Sequence, residues 1–176
     1  GALRRGLENP LDQAERIRAT QAEARDVLRA HTVDEDAVTN FWRDLGDDYF
    51  LRHEADEIAW HTEAVVRTSV SDAPLLLIRH NDQRGTELFL YTRDQDRLFA
   101  LTTATLDQMA LTIVDARIIT AQNGYTLDTY RVLEESGAPV TQPQRMQEIV
   151  HALEHTLAQG AIAPVSRRTR SQLKHF

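Results

Sequence analysis

From Leu11 to Val66, apolar side chains recur every three or four residues; from Leu75 onward the repeat shortens towards two. The change falls in Ser69 to Pro74, a stretch of turn formers and helix breakers. The first segment, 1–70, therefore reads as helical. Asn9 followed by Pro10 is a start signal, because Asn can cap and Pro at the first helical position forfeits no needed donor. Leu11, Ala14, Ile17, Ala24 and Leu28 then share one face. A second helix is expected from Asp34, with Val33 and Val38 placed to clasp its first turn and Phe41 and Leu45 extending the apolar face to a stop at Gly46. A third follows Asp47 and Asp48, clearest in Ala55, Ile58, Ala59, Thr62, Val65 and Val66.

The second segment, 75–176, mixes strands and helices. Leu75 to His80 and Glu87 to Tyr91 flank a turn and read as a hairpin. Asp94 or Asp96 is placed to cap a helix with a core face of Leu98, Leu101, Thr102, Thr105, Leu106 and Met109. Thr112 to Thr120 and Thr126 to Leu133 are β-branched runs around a Gln122-Asn123-Gly124 turn. A last helix opens at Thr141, with Gln144 in capping-box position, and buries Met146, Ile149, Val150, Leu153 and Leu157 before Gly160. This order predicts an α+β fold: a four-stranded antiparallel sheet with two helices on one face. The region from Ala161 to Phe176 is polar and basic until Leu173, so a final strand is missing or barely begun. The hairpin strand Leu75 to His80 is expected on the edge this leaves vacant, antiparallel to Glu87 to Tyr91.

Composition narrows the functional classes. The 176 residues carry a formal charge of −7 and no cysteine, which excludes a disulfide framework, a cysteine zinc site and a thiol nucleophile. The basic side chains Arg167, Arg168, Arg170 and Lys174 sit in the tail, leaving an acidic body unsuited to nucleic acid. The longest aliphatic run, Leu75 to Ile78, cannot span a bilayer, and a cytoplasmic location is expected. No phosphate-binding glycine loop, nucleophile elbow or dinucleotide fingerprint occurs. His151-Ala152-Leu153-Glu154-His155 matches a metal-binding spacing but lacks a third ligand, so a solvated helix flank is the simpler reading. Asp94-Gln95-Asp96 could hold a magnesium ion, although helix capping explains the same carboxylates. Trp60-His61 is an odd pair on a helix, either one core and one exposed residue or an interface mark, with burial the simpler reading, and His31, His53, His80 and His175 read as surface residues.

Residues 91–100, with Leu111, Ile113, Ala116, Ile118, Thr120, Gly124, Asp128, Tyr130 and Val132, resemble the ACT domain, a ferredoxin-like βαββαβ module that senses amino acids. Residues 3–10, 46–53 and 58–61 extend the resemblance over essentially the whole chain, to the bifunctional PII uridylyltransferase/uridylyl-removing enzymes. The chain is similar to the part between their HD hydrolase domain and the second of two ACT domains. The resemblance implies a parent that uridylylates the PII signalling protein with Mg2+, removes the UMP with the HD domain, and reports glutamine through its ACT domains. No Gly-Ser with paired aspartates and no His-Asp dipeptide is present, so neither activity nor a cofactor is expected of these residues.

The resemblance also implies an effector site at Asp94, Gln95, Asp96, Arg97 and Leu98, with Ala110 and Leu111. Ligand-binding ACT domains usually place Pro-Gly where this chain has Asp96 and Arg97, and Asn where it has Ala110. A side chain at a glycine position blocks close approach, and Ala supplies no polar contact, so weak glutamine binding is expected. The second ACT domain is then the better sensor. Alternative readings are an ACT-type dimerisation module that binds nothing small, and an independent hydrolase using the histidine pair.

Overall fold

The computed structural model describes residues 10–69 and 71–162. The Asn9 cap, the basic tail, His175 and any last strand lie outside the described residues. Contacts divide the chain into two compact units: Gly1–Val70 with Ala121–Asn123, and Ser71–Thr120 with Gly124–Phe176.

The first unit is helical: α1 (Pro10–Ala30), α2 (Glu35–Arg43), α3 (Asp47–Arg52) and α4 (Ala55–Arg67). Asp34 caps α2, accepting from Ala37 N at 3.0 Å, and Val33 and Val38 are buried on either side. The expected third helix is two helices. It breaks at His53–Glu54, where Glu54 and Glu57 form a reciprocal capping box that starts α4 afresh. Gly46 precedes α3 rather than ending α2. Leu11, expected in the core, is 70% exposed, whereas Ala24 and Leu28 are buried as expected. The aromatic core of Trp42, Tyr49 and Phe50 packs edge-on, with ring centroids 5.3 Å apart for Trp42–Phe50 and for Tyr49–Phe50.

The second unit contains β1 (Leu75–Asn81), β2 (Gly85–Arg93), α5 (Leu98–Gln108), β3 (Leu111–Thr120), β4 (Tyr125–Glu134) and α6 (Pro143–Ile162). The antiparallel sheet runs β1-β2-β4-β3. β1 pairs with β2 from Leu75↔Tyr91 to Asn81↔Gly85, as the hairpin pattern predicts, and holds the edge beside β2. Leu88, Tyr130 and Val132 share one sheet face and pack on Leu106 of α5 and on Ile149 and Leu153 of α6. Both helices therefore cover the same face, and the α+β expectation holds. The last helix opens at Pro143, suited to a first helical position, rather than at Thr141. Gly160 does not stop it. A Cβ there would lie 2.5 Å from Leu101 Cδ1, the end of a flexible side chain on α5.

Candidate functional site

The two halves of the expected effector site sit at opposite ends of α5. Asp94, Gln95 and Asp96 are exposed in the turn after β2, Arg97 is half-buried, and Leu98 is buried in the first helical turn. Ala110 and Leu111 follow the C-terminus, so the helix separates the groups by about 16 Å, at 1.5 Å per residue. Within one chain they do not converge.

Neither Asp94 nor Asp96 caps α5. Its N-cap is Arg97, in the left-handed region at φ 69°, with no side-chain cap bond. The turn is held by backbone bonds instead: Asp94 N donates to Gly124 O at 2.9 Å and Leu98 N to Gln95 O at 3.2 Å. Ala110 is also left-handed, at φ 59°, with its N–H donating to Asp107 O at 3.0 Å. These are the positions at which the ACT resemblance puts Gly and Asn, the residues that tolerate positive φ most readily. The backbone retains the two turns while the side chains strain them. A left-handed Ala costs about 1–2 kcal/mol, part of which Gly returns as unfolded-state entropy. Ala110→Gly is expected to stabilise by up to about 1 kcal/mol, raising the melting temperature by about 2–4 °C. A thermal melt with Ala110→Val as the opposite control checks this; no rise with Gly would remove the strain argument.

Sequence reasoning passed over the most unusual ionisable group beside this turn. Asp128 lies mid-strand in β4, 2% exposed, opposite Leu90 of β2 and Ile118 of β3. Alternation along Thr126, Asp128, Tyr130 and Val132 puts the carboxyl on the helix-covered face, which was the available signal. Thr126 Oγ1 donates to Asp128 Oδ1 at 2.5 Å. Burial, opposed by this bond and reinforced by the charge of Asp94, pushes the Asp128 carboxyl up to about 7. Burial, and then Asp128 itself, raises the neighbouring Tyr130 hydroxyl well above its ordinary range; Thr102 opposes the rise. Tyr130 Oη is buried and has no hydrogen-bond partner among the described residues. The Thr102 hydroxyl beside it donates to Leu98 O at 2.8 Å.

The histidines divide differently. His151 and His155 are exposed, as expected, and no group of three or more His, Cys, Asp or Glu among the described residues is arranged to hold a metal. His61 is fully buried, its Nδ1 2.8 Å from Tyr49 Oη, while Trp60 is half-buried. His53, expected at the surface, is buried, with Nδ1 donating to Tyr49 O at 2.8 Å. Trp42 Nε1 donates to Thr62 Oγ1 at 2.9 Å. These bonds lock α2, α3 and α4 together. His31 is exposed and 2.6 Å from Glu63, and His80 is half-buried, 3.3 Å from Asp82.

A model of the uridylyltransferase GlnD fifth domain matches residues 12–64, which span α1 to most of α4. Over 99% of its length the chain is 47% identical to the bifunctional uridylyltransferase/uridylyl-removing enzyme of Pseudomonas savastanoi pv. phaseolicola. It belongs to that family. The corresponding enzymes of Pseudomonas syringae pv. syringae and Stutzerimonas stutzeri are each 46% identical over the same 99%. The chain spans about a fifth of the length of these uridylyltransferase/uridylyl-removing enzymes, and the alignments include both left-handed turns and Asp128. No helix among the described residues is long and apolar enough to cross a membrane.

Proposed function

We propose that this chain is a regulatory region of a bifunctional uridylyltransferase/uridylyl-removing enzyme. Residues 1–70 form its helical linker, and residues 75–176 an ACT-type module. The region responds to nitrogen status, signalled by glutamine, and relays that state to nucleotidyltransferase and HD hydrolase domains elsewhere in a cytoplasmic parent acting on the PII signalling protein. Any Mg2+ requirement sits with those domains. The observation that carries the reading is the near-complete match to one fifth of these enzymes, joined to a strand-helix-strand-strand-helix sheet unit.

The left-handed Arg97 and Ala110 support a reading in which a second ACT domain is the glutamine sensor and this module transmits its state. Calorimetry at millimolar glutamine is expected to show no saturable binding to this chain and clear binding to a version extended through that domain. Saturable binding here, abolished by Arg97→Ala, would instead make this module the sensor, with the guanidinium forking onto the ligand carboxylate. In the full-length parent, Ala110→Gly is expected to leave both catalytic rates intact and to shift the glutamine concentration at which they exchange. An unchanged midpoint would leave the second reading, a dimerisation module, as the better account.

A further inference from the structure

Two strands hold the edges of the sheet, β1 and β3, and they are finished differently. All seven residues of β1 are half-buried. β3 pairs with β4 alone, and no other strand among the described residues meets its outer side. It is ten residues long, Leu111–Thr120, with neither Lys nor Pro to discourage pairing. One irregularity, a register shift between Ile113 and Asp115, leaves a regular run from Asp115 to Thr120. An edge this long and regular invites another strand.

Apolar exposure gathers on the same side of the sheet. Of the five large apolar side chains exposed among the described residues, Val114 and Ile118 lie on β3, at 54% and 40%, and Phe99 of α5 is exposed at 41%. Ala116 and Ile118 stand opposite Tyr130 and Asp128, so they share the helix-covered face, and Phe99 lies over Tyr130 with ring centroids 6.3 Å apart. On the other face, Arg117 Nε lies 3.3 Å from Asp115 Oδ2. From Val114 to Ile118 the order is apolar, acid, alanine, base, apolar. Read backwards it is apolar, base, alanine, acid, apolar. Each position therefore meets its complement in an antiparallel copy of the same strand.

We propose that β3 pairs with β3 of a second copy of this chain, antiparallel and about a two-fold axis through Ala116. Val114 then stands opposite Ile118 of the second copy, Asp115 opposite Arg117, and Ala116 opposite itself, where two methyl groups meet without crowding. The two acid–base pairs close a ring of alternating charge, and the two Val–Ile pairs remove exposed apolar surface from water. Joined so, two four-stranded sheets make one of eight. The same pairing through β1 is disfavoured, because Leu75–Asn81 carries Arg79 and His80 and no acid. The inference rests on the dimerisation reading given above, to which it adds a face and a register, and it does not require that glutamine be sensed here.

Sedimentation of the whole chain is expected to show a weak, reversible dimer, monomeric at about 1 μM and dimeric at about 1 mM, as suits a narrow interface. Amide protons of residues 114–118 should exchange more slowly in the dimer. Val114→Glu with Ile118→Glu, and separately Val114→Lys with Ile118→Lys, set like charges against each other across the two-fold and should raise the dissociation constant at least about tenfold. Both positions are exposed, so circular dichroism should be unchanged. Mixing the acidic and the basic variant should restore pairing as a heterodimer, a result that misfolding could not give. A chain still monomeric at about 1 mM overturns the proposal together with the dimerisation reading. A dimer that survives both variants overturns this face alone and leaves that reading standing, and loss without restoration on mixing overturns the register.

Discussion

Asp128→Asn is expected to stabilise the sheet unit by up to about 4 kcal/mol at about pH 8, and to change little below about pH 3. The folded carboxyl holds its proton up to about pH 7, against an ordinary value of 3.8. The folded form therefore binds the proton more tightly than the unfolded chain. This contribution is fully present below the unfolded value and is lost as pH rises from 3.8 to about 7. At about 1.4 kcal/mol per pH unit, that interval caps the loss at about 4 kcal/mol. Asn presents nearly the shape of the neutral acid and still accepts from Thr126, so it keeps the packing and removes the titration. Guanidinium melts across this pH range, read through hydrogen exchange of β2 and β4 amides, measure it. A variant whose stability falls with pH as steeply as the parent's would show that Asp128 is solvated in the fold.

Removing β1 and its turn, residues 75–84, is expected to abolish cooperative unfolding of the sheet unit and make the protein self-associate. The seven residue pairs with β2 satisfy the outer backbone groups of that strand. Leu76 and Ile78 also pack on the core clusters formed by Leu88, Leu90, Leu106, Ile149 and Leu157. Half-burial of two aliphatic side chains is worth roughly 2–3 kcal/mol. The bared edge of β2 adds unpaired donors and acceptors that another molecule would seek out. Together these approach the lower end of a small domain's margin of about 5–15 kcal/mol. Light scattering and exchange protection in β2 report the two effects. A monomer with protected β2 amides would mean that the edge is sealed by something other than β1.

Much of this architecture was readable because burial follows a period. The stripe Ile58-Ala59-Thr62 and the set Ile149-Leu153-Leu157 fall where a 3.6-residue repeat puts them, and Val33 and Val38 where a clasp around the Asp34 cap does. The β1–β2 hairpin was readable from two short apolar runs around a turn. What escaped depends on partners distant in sequence. His53 and His61 are polar by type yet buried, because Tyr49 supplies a hydrogen bond to each. The break before α4 was hidden because the apolar pattern runs through it, and only the Glu54–Glu57 exchange reveals it. Asp94 and Asp96 sit where caps belong, but the left-handed Arg97 takes the capping position and turns them outward. Of the candidate effector site, the turns were legible as places. That α5 holds them apart was not, since separation is a property of the folded helix.

The strand on the edge of the sheet also bears on how the chain assembles as it is made. In a βαββαβ module the edge strand comes last, so the central strand must wait for the whole module to be synthesised. Here that partner is β1, and it precedes β2, joined to it by a tight turn. β3 and β4 form a second local hairpin, leaving β2–β4 as the one long-range pairing among the described strands. Fewer distant pairings mean less loop entropy lost before contacts form, and hence faster folding. The β1–β2 hairpin can form on the emerging chain before α5 exists, so the strand at the centre of the sheet has a partner from the start.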